Sequence, residues 1–467
     1  MTTQASNWRE DLRRRIGTPG GRVHLMGVGG IGMAGVARLL AAKGMAVTGC
    51  DGAASRTLAW LRSCGIPATT GHNSAHLDNA DWAVFSPALQ SGHPERIAAE
   101  KRGIPLYRRG QVLPVLAELW KTVAVSGTHG KTTTSSMIAH ILRRCGVAAS
   151  WCIGGELPPD GVPAGAGTSE WLVIEADESD GTLAHYHPEI AVITNVEFDH
   201  MEHFDSKAAM VDCFRAFAHQ ARTVIYCADD PEAAQVGLVA RGISYGLAGI
   251  ADFTAKNLEA GRTGTQFQVQ APGGRVAQVA LPLPGRHNVL NALAALAACS
   301  RCGIDLDAAG ATLTDFALPK RRFEPVAEAR GIRVIADYAH HPTEIRALIE
   351  AAKQAGAGRI WAVFQPHRFT RTRALGADFP PAFDGVAGVI LAPVYAASEP
   401  PLAGGTSDDL LKHFRNHRGA PVELAASLED AAERVATRWQ AGDWVLVVGA
   451  GDVEDVGPML RAKLQPS

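Results

Sequence analysis

No stretch of this chain stays apolar for the roughly 20 residues that a bilayer-spanning helix needs, so a membrane span is not expected. The N-terminal segment carries Trp8, Glu10, Asp11 and Arg13, Arg14 and Arg15 where a signal peptide would have its apolar core, and a cytoplasmic location is expected. An excess of either charge is also missing. Lys and Arg number 45 against 47 Asp and Glu, a formal net charge of −2. That balance offers no electrostatic footing for nucleic acid or an acidic membrane, so any cationic function must be local. Paired cysteine motifs are scarce too. Of eight cysteines only Cys299 and Cys302 form a C-x-x-C, inside an alanine-rich helical pattern. A closed metal site of that kind wants a second pair, so buried free thiols are the favoured reading.

What is present is glycine at strand ends. The 467 residues exceed one ordinary core and suggest about three domains. A short apolar strand at 122–125 runs into Ser126-Gly127-Thr128-His129-Gly130-Lys131-Thr132-Thr133 and then a helix from Ser135. Strand, glycine-rich turn and helix make a phosphate-binding loop. Backbone N–H groups approach a polyphosphate, the helix N-terminus adds partial positive charge, Lys131 reaches the terminal phosphates, and the Thr132 hydroxyl suits magnesium. The general pattern has glycine where this chain has Val125. A glycine-rich turn alone would also fit an ordinary loop; the Gly-Lys-Thr with both flanks favours phosphate.

A second glycine turn lies upstream. Residues 22–32 read as a strand ending in Gly27-x-Gly29-Gly30-x-Gly32, followed by a helix through Val36 and Leu39. The next strand, 45–50, ends at Asp51, an acid placed to accept from a ribose or base. The alternative is a tight strand–helix turn without a ligand. Further β/α alternation ends near residue 117, the first expected boundary.

The second unit carries long apolar runs, as buried parallel strands do. They end in polar clusters: Glu175 to Asp180, Asp199-His200, and Asp229-Asp230, where a nucleoside triphosphatase holds its magnesium. Residues 252–282 alternate like antiparallel strands, and an alanine-rich helix follows Asn288 and Asn291. A second boundary is expected near Pro325. The last unit alternates again, with strands ending in Asp337-Tyr338-Ala339-His340-His341 and in His367-Arg368-Phe369-Thr370-Arg371-Thr372-Arg373. Arginines at such a mouth suit carboxylates and phosphates, because the guanidinium fork is bidentate; a solvated helix start is the plainer alternative.

The expected fold is thus α/β in three domains. These are a Rossmann-like unit at 1–117, a P-loop ATPase-like parallel sheet with added antiparallel strands at 118–325, and a second Rossmann-like unit at 326–467.

Taken together, the stretches 24–33, 175–180, 337–345 and 364–372 resemble a Mur ligase over nearly the whole length, most closely the alanine-adding branch. The resemblance implies a peptidoglycan-precursor enzyme using ATP and magnesium, with two ions and manganese as a possible substitute. The lactyl carboxylate of UDP-N-acetylmuramate takes the γ-phosphoryl group, and the acyl phosphate is attacked by the amine of L-alanine. By the same resemblance Gly29, Gly30, Ile31 and Gly32 cradle the UDP diphosphate, near Asp51, His72 and Ser86. Gly127, Thr128, His129, Gly130, Lys131, Thr132 and Thr133 hold the ATP phosphates. Asn288 and Asn291 contact adenine, with Asp337 and Tyr338 by the nucleoside. Thr132, Glu175 and His200 are the implied metal ligands. Lys131, His200, His340, Arg368 and Arg371 are the implied catalytic set, with Arg368 and Arg371 clamping a carboxylate or the transferring phosphoryl group.

Some relatives carry a carbamylated lysine beyond the Asp-His pair. Here the neighbourhood is Cys213-Phe214-Arg215-Ala216-Phe217, so none is expected. His203 receives no role. A monomer or weak homodimer is expected, with hinges near 117 and 325. The competing readings are a ligase that recycles a tripeptide onto the same sugar, an NAD-dependent dehydrogenase, and a non-catalytic nucleotide-binding module.

Overall fold

A computed structural model describes residues 8–199 and 203–465, and they form three sheets in chain order. The first holds β1 (Arg22–Met26), β2 (Ala46–Asp51), β3 (Ala68–Thr70), β4 (Trp82–Phe85) and β5 (Leu106–Arg108), all parallel in the order β3-β2-β1-β4-β5. The second has ten strands. They are β6 (Lys121–Ser126), β7 (Ser150–Leu157), β8 (Val162–Gly165), β9 (Trp171–Glu175), β10 (Ile190–Ile193), β11 (Thr223–Cys227), β12 (Ile243–Gly246), β13 (Phe253–Gly261), β14 (Gly264–Ala271) and β15 (Arg275–Leu281). Its centre is parallel around β6, and the β13–β14–β15 meander is antiparallel, as the alternation at 266–269 predicts. The third holds β16 (Glu324–Ala329), β17 (Ile332–Asp337), β18 (Arg359–Phe364), β19 (Gly388–Leu391), β20 (Val422–Leu424) and β21 (Asp443–Val448), parallel except for β16. The α/β class is therefore as expected. The strand opening the third sheet begins at Glu324, so it straddles the expected 325/326 boundary rather than following it.

The central strands are short apolar runs buried on both faces, which only helices on both sides of a sheet can cover. Their helices begin at chemically defined points. Ser55, Ser206, Asp230 and Thr406 each accept a backbone N–H from the first turn, and Pro231 occupies the first helical position where no N–H is needed.

The two domain junctions differ in kind. One contiguous apolar core joins the first sheet to the second. The helix Ile31–Ala42 packs on β7 and β8, and Val36 and Leu39 share a cluster with Cys152, Ala164 and Ile174. The expected hinge near residue 117 is not found there, because opening it would expose that core. The third sheet keeps its own apolar clusters and meets the second through polar contacts. These include Gly285 N donating to Gln354 Oε1 at 2.9 Å and Gln354 Nε2 donating to Thr265 Oγ1 at 2.9 Å. A polar seam gives way more readily than a shared apolar core, so of the two expected hinges this packing favours the one near 325. No described helix is long and apolar enough to cross a membrane.

Candidate active site

The phosphate loop is built as its sequence requires. Gly127 has φ +137° and its Cα faces the backbone of Asn195, so a side chain would strike Asn195 N and O at about 3 Å. Segment 194–197 braces the turn from outside. Thr194 Oγ1 donates to His129 O at 2.6 Å, His129 N to Asn195 Oδ1 at 2.8 Å, and Thr128 Oγ1 to Glu197 O at 2.9 Å. Gly130 then caps the helix Lys131–Arg144 with no side chain over its first turn, leaving N–H groups for an anion.

Lys131 is folded back onto this loop. Its ammonium donates to Gly127 O at 2.5 Å, Thr128 O at 3.1 Å and the fully buried Glu178 at 2.7 Å. Burial pulls the lysine down, but Glu178, Asp177 and Glu175 outweigh it and hold the ammonium charged. Thr132 Oγ1 donates to Glu175 Oε2 at 2.8 Å, and the same oxygen accepts from Gly154 N at 2.9 Å. A hydroxyl and a carboxylate held together at a strand end are hard oxygen donors, the set magnesium takes. Thr132 and Glu175 therefore fit the implied ion; His200 lies outside the described residues.

Asn288 and Asn291, expected at adenine, are instead turned into the protein. Asn288 Nδ2 donates to Pro284 O at 2.7 Å. Asn291 Oδ1 accepts from Thr134 Oγ1 at 3.2 Å and lies against Gly130. Both are nearly buried and brace the loop from behind in this conformation. Thr133 is likewise buried in the first helical turn.

At the first glycine turn Gly29 N donates to Asp51 Oδ2 at 2.9 Å. Asp51 thus shapes the turn rather than reaching outward. Gly30 caps the helix Ile31–Ala42, again without a side-chain cap. Arg109, which the sequence reading passed over, lies so near Gly32 that a Cβ there would be 2.7 Å from its Nη1; it also pairs with Asp177 at 3.4 Å. Ser86 accepts from Ala88 N. His72 Nδ1 faces Glu95 at 2.9 Å, and its Nε2 lies beside Gly52, just after Asp51.

The third domain contributes two surfaces. Tyr338 is flanked by the guanidiniums of Arg321 and Arg322, 4.8 and 5.1 Å from its ring centroid. Asp337 accepts from Phe323 N and Ala339 N, so it organises the turn that presents Tyr338. The other surface faces the phosphate loop. His129 donates to Glu344 at 3.0 Å and Glu197 at 2.9 Å, and Thr343 Oγ1 to Glu197 at 2.9 Å. Burial pulls the His129 imidazole down, but Glu344 and Glu197 outweigh it and raise it to about 9. Arg371, expected to clamp a ligand, is bound by Asp199 through both ends of its fork and is about 5% exposed. Arg368 pairs with Glu399 at 3.3 Å. His340 Nδ1 donates to Tyr338 O at 3.0 Å, and burial holds its imidazole down to about 4, so it is neutral.

A cavity of about 1100 Å³ opens where the three domains meet. Gly30, Ile31, Gly32, Ser86 and Arg109 line it from the first domain, Thr132, Glu175 and Asp177 from the second, and Arg321, Arg322, Tyr338 and Glu454 from the third. Residues of three expected groups meet there, the first glycine turn with Ser86, the Thr132–Glu175 pair and Tyr338, while Arg368, Arg371 and His340 stand apart at the second-to-third-domain seam. Arg109, Glu178, Glu197, Arg321 and Arg322 were not singled out from sequence. The Lys320-Arg321-Arg322 run was the signal available for the last two.

Three family models match the chain in order. Residues 22–121 match the Mur ligase family catalytic domain, 125–299 the Mur ligase middle domain, and 321–451 the Mur ligase glutamate ligase domain. The UDP-N-acetylmuramate–L-alanine ligase of Thermobifida fusca is 39% identical over 455 residues, covering 94% of this chain and 96% of its own. That of Kineococcus radiotolerans is 41% identical over 456 residues, covering 94% and 95%. Among solved structures, UDP-N-acetylmuramate-alanine ligase from Thermotoga maritima superposes with a TM-score of 0.79 at 27% identity, covering 95% of this chain and 98% of that one. A murein peptide ligase from Psychrobacter arcticus gives 0.70 at 26%, covering 95% and 99%. Three family models matched in order over most of the chain, and relatives this similar across both chains, place the protein in the Mur ligase family.

Proposed function

We propose that the protein joins L-alanine to the lactyl carboxylate of UDP-N-acetylmuramate, with cleavage of ATP to ADP and phosphate, in the cytoplasmic assembly of peptidoglycan precursors. The observation that carries this reading is one cavity lined by all three domains. It brings the first glycine turn, the Thr132–Glu175 pair and the Tyr338 surface around one space, as a reaction of three small molecules requires. The 37–41% identical relatives named as alanine ligases support the choice of amino acid.

The chain's residues divide the work. The open N–H groups at Gly30–Gly32 and Arg109 suit the diphosphate of the sugar nucleotide, and Tyr338 between two arginines suits the base of ATP. On nucleotide binding Lys131 exchanges Glu178 for the phosphates and neutralises charge as the carboxylate oxygen attacks the γ-phosphorus. The leaving ADP stays in the loop, and the amine then attacks the acyl carbon and releases phosphate. Thr132 and Glu175 would hold magnesium, which when bound supplies charge neutralisation and in-line orientation. Neutral His340 stands at the seam through which the third domain brings the amine.

The deciding experiment incubates the full chain with ATP, magnesium and UDP-N-acetylmuramate plus either L-alanine or the L-Ala–D-Glu–diamino-acid tripeptide, following phosphate release and product mass. Faster turnover with alanine is expected. Preference for the tripeptide would reassign the protein to the recycling branch, and no phosphate release with either would leave a nucleotide-binding module.

A further inference from the structure

The face of the first sheet opposite the helix Ile31–Ala42 carries a cluster the reaction does not use. His24 on β1 and Cys50 on β2 point to this face, and Glu95 descends on it from the first turn of the helix Pro94–Lys101. All three are buried to 1% or less. His76, in the 3-10 turn Ser74–Leu77, closes the group from outside and is about 23% exposed. His24 Nε2 is 3.3 Å from Cys50 Sγ, Cys50 Sγ is 3.1 Å from the nearer Glu95 oxygen, and His76 Nδ1 is 2.8 Å from Glu95 Oε1. The four donor atoms all lie within 4.8 Å of one another.

We propose that His24 Nε2, Cys50 Sγ, His76 Nδ1 and a Glu95 oxygen form a structural site for a zinc-class divalent ion, separate from the magnesium site of the reaction. Tetrahedral zinc with bonds near 2.0–2.3 Å sets its donors roughly 3.3–3.7 Å apart. The closest donor pairs here, at 2.8–3.3 Å, must open slightly, and the wider ones, none beyond 4.8 Å, must draw in by about 1 Å at most. One sulfur, two imidazoles and one carboxylate make a four-coordinate set that selects zinc or cobalt over magnesium. The supporting shell is present as well. Thr48 Oγ1 holds His24 Nδ1 at 2.9 Å and Thr69 Oγ1 holds His76 Nε2 at 3.3 Å, which fixes each ring with its other nitrogen toward the centre. Asn73 N and His72 Nδ1 donate to Glu95, at 2.8 and 2.9 Å.

Binding would displace the Cys50 thiol proton to water and set the His76 ring proton on Nε2, where Thr69 Oγ1 accepts it, leaving thiolate, neutral imidazoles and carboxylate on the ion. The ion would tie β1 and β2 to the helix Pro94–Lys101. Cys50 O accepts from Gly27 N at 2.8 Å, so the tie lies directly under the sugar-nucleotide turn.

The test strips the purified full chain with a chelator and titrates cobalt(II), then zinc, with millimolar magnesium present throughout. One equivalent of cobalt with tetrahedral d–d bands and a thiolate charge-transfer band, displaced by zinc, is expected. Cys50→Ser should abolish the charge-transfer band, and His76→Gln, at the partly exposed ligand, should weaken zinc binding 10-fold or more. Cys64→Ser, remote from the cluster, should leave the spectrum unchanged. Far-UV circular dichroism of each stripped variant establishes that it is folded. Absence of stoichiometric binding by the wild-type chain would overturn the proposal, as would a wild-type cobalt spectrum in Cys50→Ser or unchanged zinc affinity in folded His76→Gln.

Discussion

Arg371 and Asp199 meet fork to fork across the seam between the second and third domains, Nε to Oδ1 at 3.1 Å and Nη2 to Oδ2 at 3.0 Å, both almost wholly buried. A pair this dry is a weak source of net stability, but removing Arg371 takes a two-point cationic donor away from a buried carboxylate. Such a loss costs on the order of 3–5 kcal/mol. Arg371→Ala is therefore expected to loosen the third domain, lower the thermal midpoint and slow the ligation. Arg371→Lys keeps the charge, loses the two-point geometry and should fall between. Calorimetry beside steady-state kinetics checks this. If Arg371→Ala unfolds like the wild type while its demand for alanine rises, the arginine acts on substrate and not on the seam.

The Lys131–Glu178 contact makes a second case. Lys131→Ala should abolish phosphate release and leave sugar-nucleotide binding close to wild type, because the first glycine turn is in another domain. It also removes the ammonium 2.7 Å from a carboxylate with no solvent exposure. A stability loss of about 2 kcal/mol or more is expected, and Glu178→Gln in the same chain should recover most of it without restoring turnover. Calorimetric titration with UDP-N-acetylmuramate and a denaturant series on the wild type and both variants decide the matter. Loss of sugar-nucleotide binding in Lys131→Ala would refute the separation of sites.

Most of this architecture is legible in local sequence, because each sheet announces itself by apolar runs ending in glycine or acid. Val123 to Ser126 before Gly127, and Val23 to Met26 before Gly27, are strands whatever the rest of the chain does. Site chemistry was less legible where a residue's partner is remote. Nothing near Arg371 in sequence signals Asp199, and nothing near Lys131 signals that Glu178 holds it when no phosphate is bound. Asn288 and Asn291 carry polar amides in an alanine-rich helix, which reads as a ligand surface until the helix is seen to lie behind Gly130. The shared core of the first two domains was hidden for the same reason. Val36 and Cys152 are ordinary core residues in separate motifs, and only the tertiary packing shows that they exclude a hinge.

His129 gives the seam a pH dependence. Its imidazole is raised to about 9 by Glu344 and Glu197 against burial, from an unfolded value near 6.5. A raised group contributes its full stabilisation below the unfolded value and loses it as pH climbs through the folded one. The docking of the third domain should therefore be strongest below about 6.5 and weaken progressively toward 9, by on the order of 2 kcal/mol. Glu197 acts at the other end. Burial pushes it up, but His129 and His341 outweigh this and hold it at about 2, so its share is lost as pH falls below the ordinary carboxylate range. In His129→Gln the alkaline slope should disappear. Thermal midpoints of both proteins from pH 5 to 9.5 measure it, and parallel curves would show that the slope arises elsewhere.

Glu175 is the acid proposed here as a magnesium ligand. Its Oε2 accepts from Thr132 Oγ1 and Gly154 N, and an amide oxygen can keep both bonds. Glu175→Gln should therefore fold as the wild type does while losing the charge that binds the ion. The magnesium needed for half-maximal ADP formation is expected to rise roughly 10-fold or more, with the maximal rate at saturating magnesium only partly recovered, since the substituted site also orients the phosphates. Removing magnesium with a chelator should stop both proteins, and the zinc-class site in the first domain should not respond to Glu175→Gln. A magnesium titration superimposable on the wild type would transfer the ligand role to Asp177, which lines the same cavity 3.4 Å from Arg109.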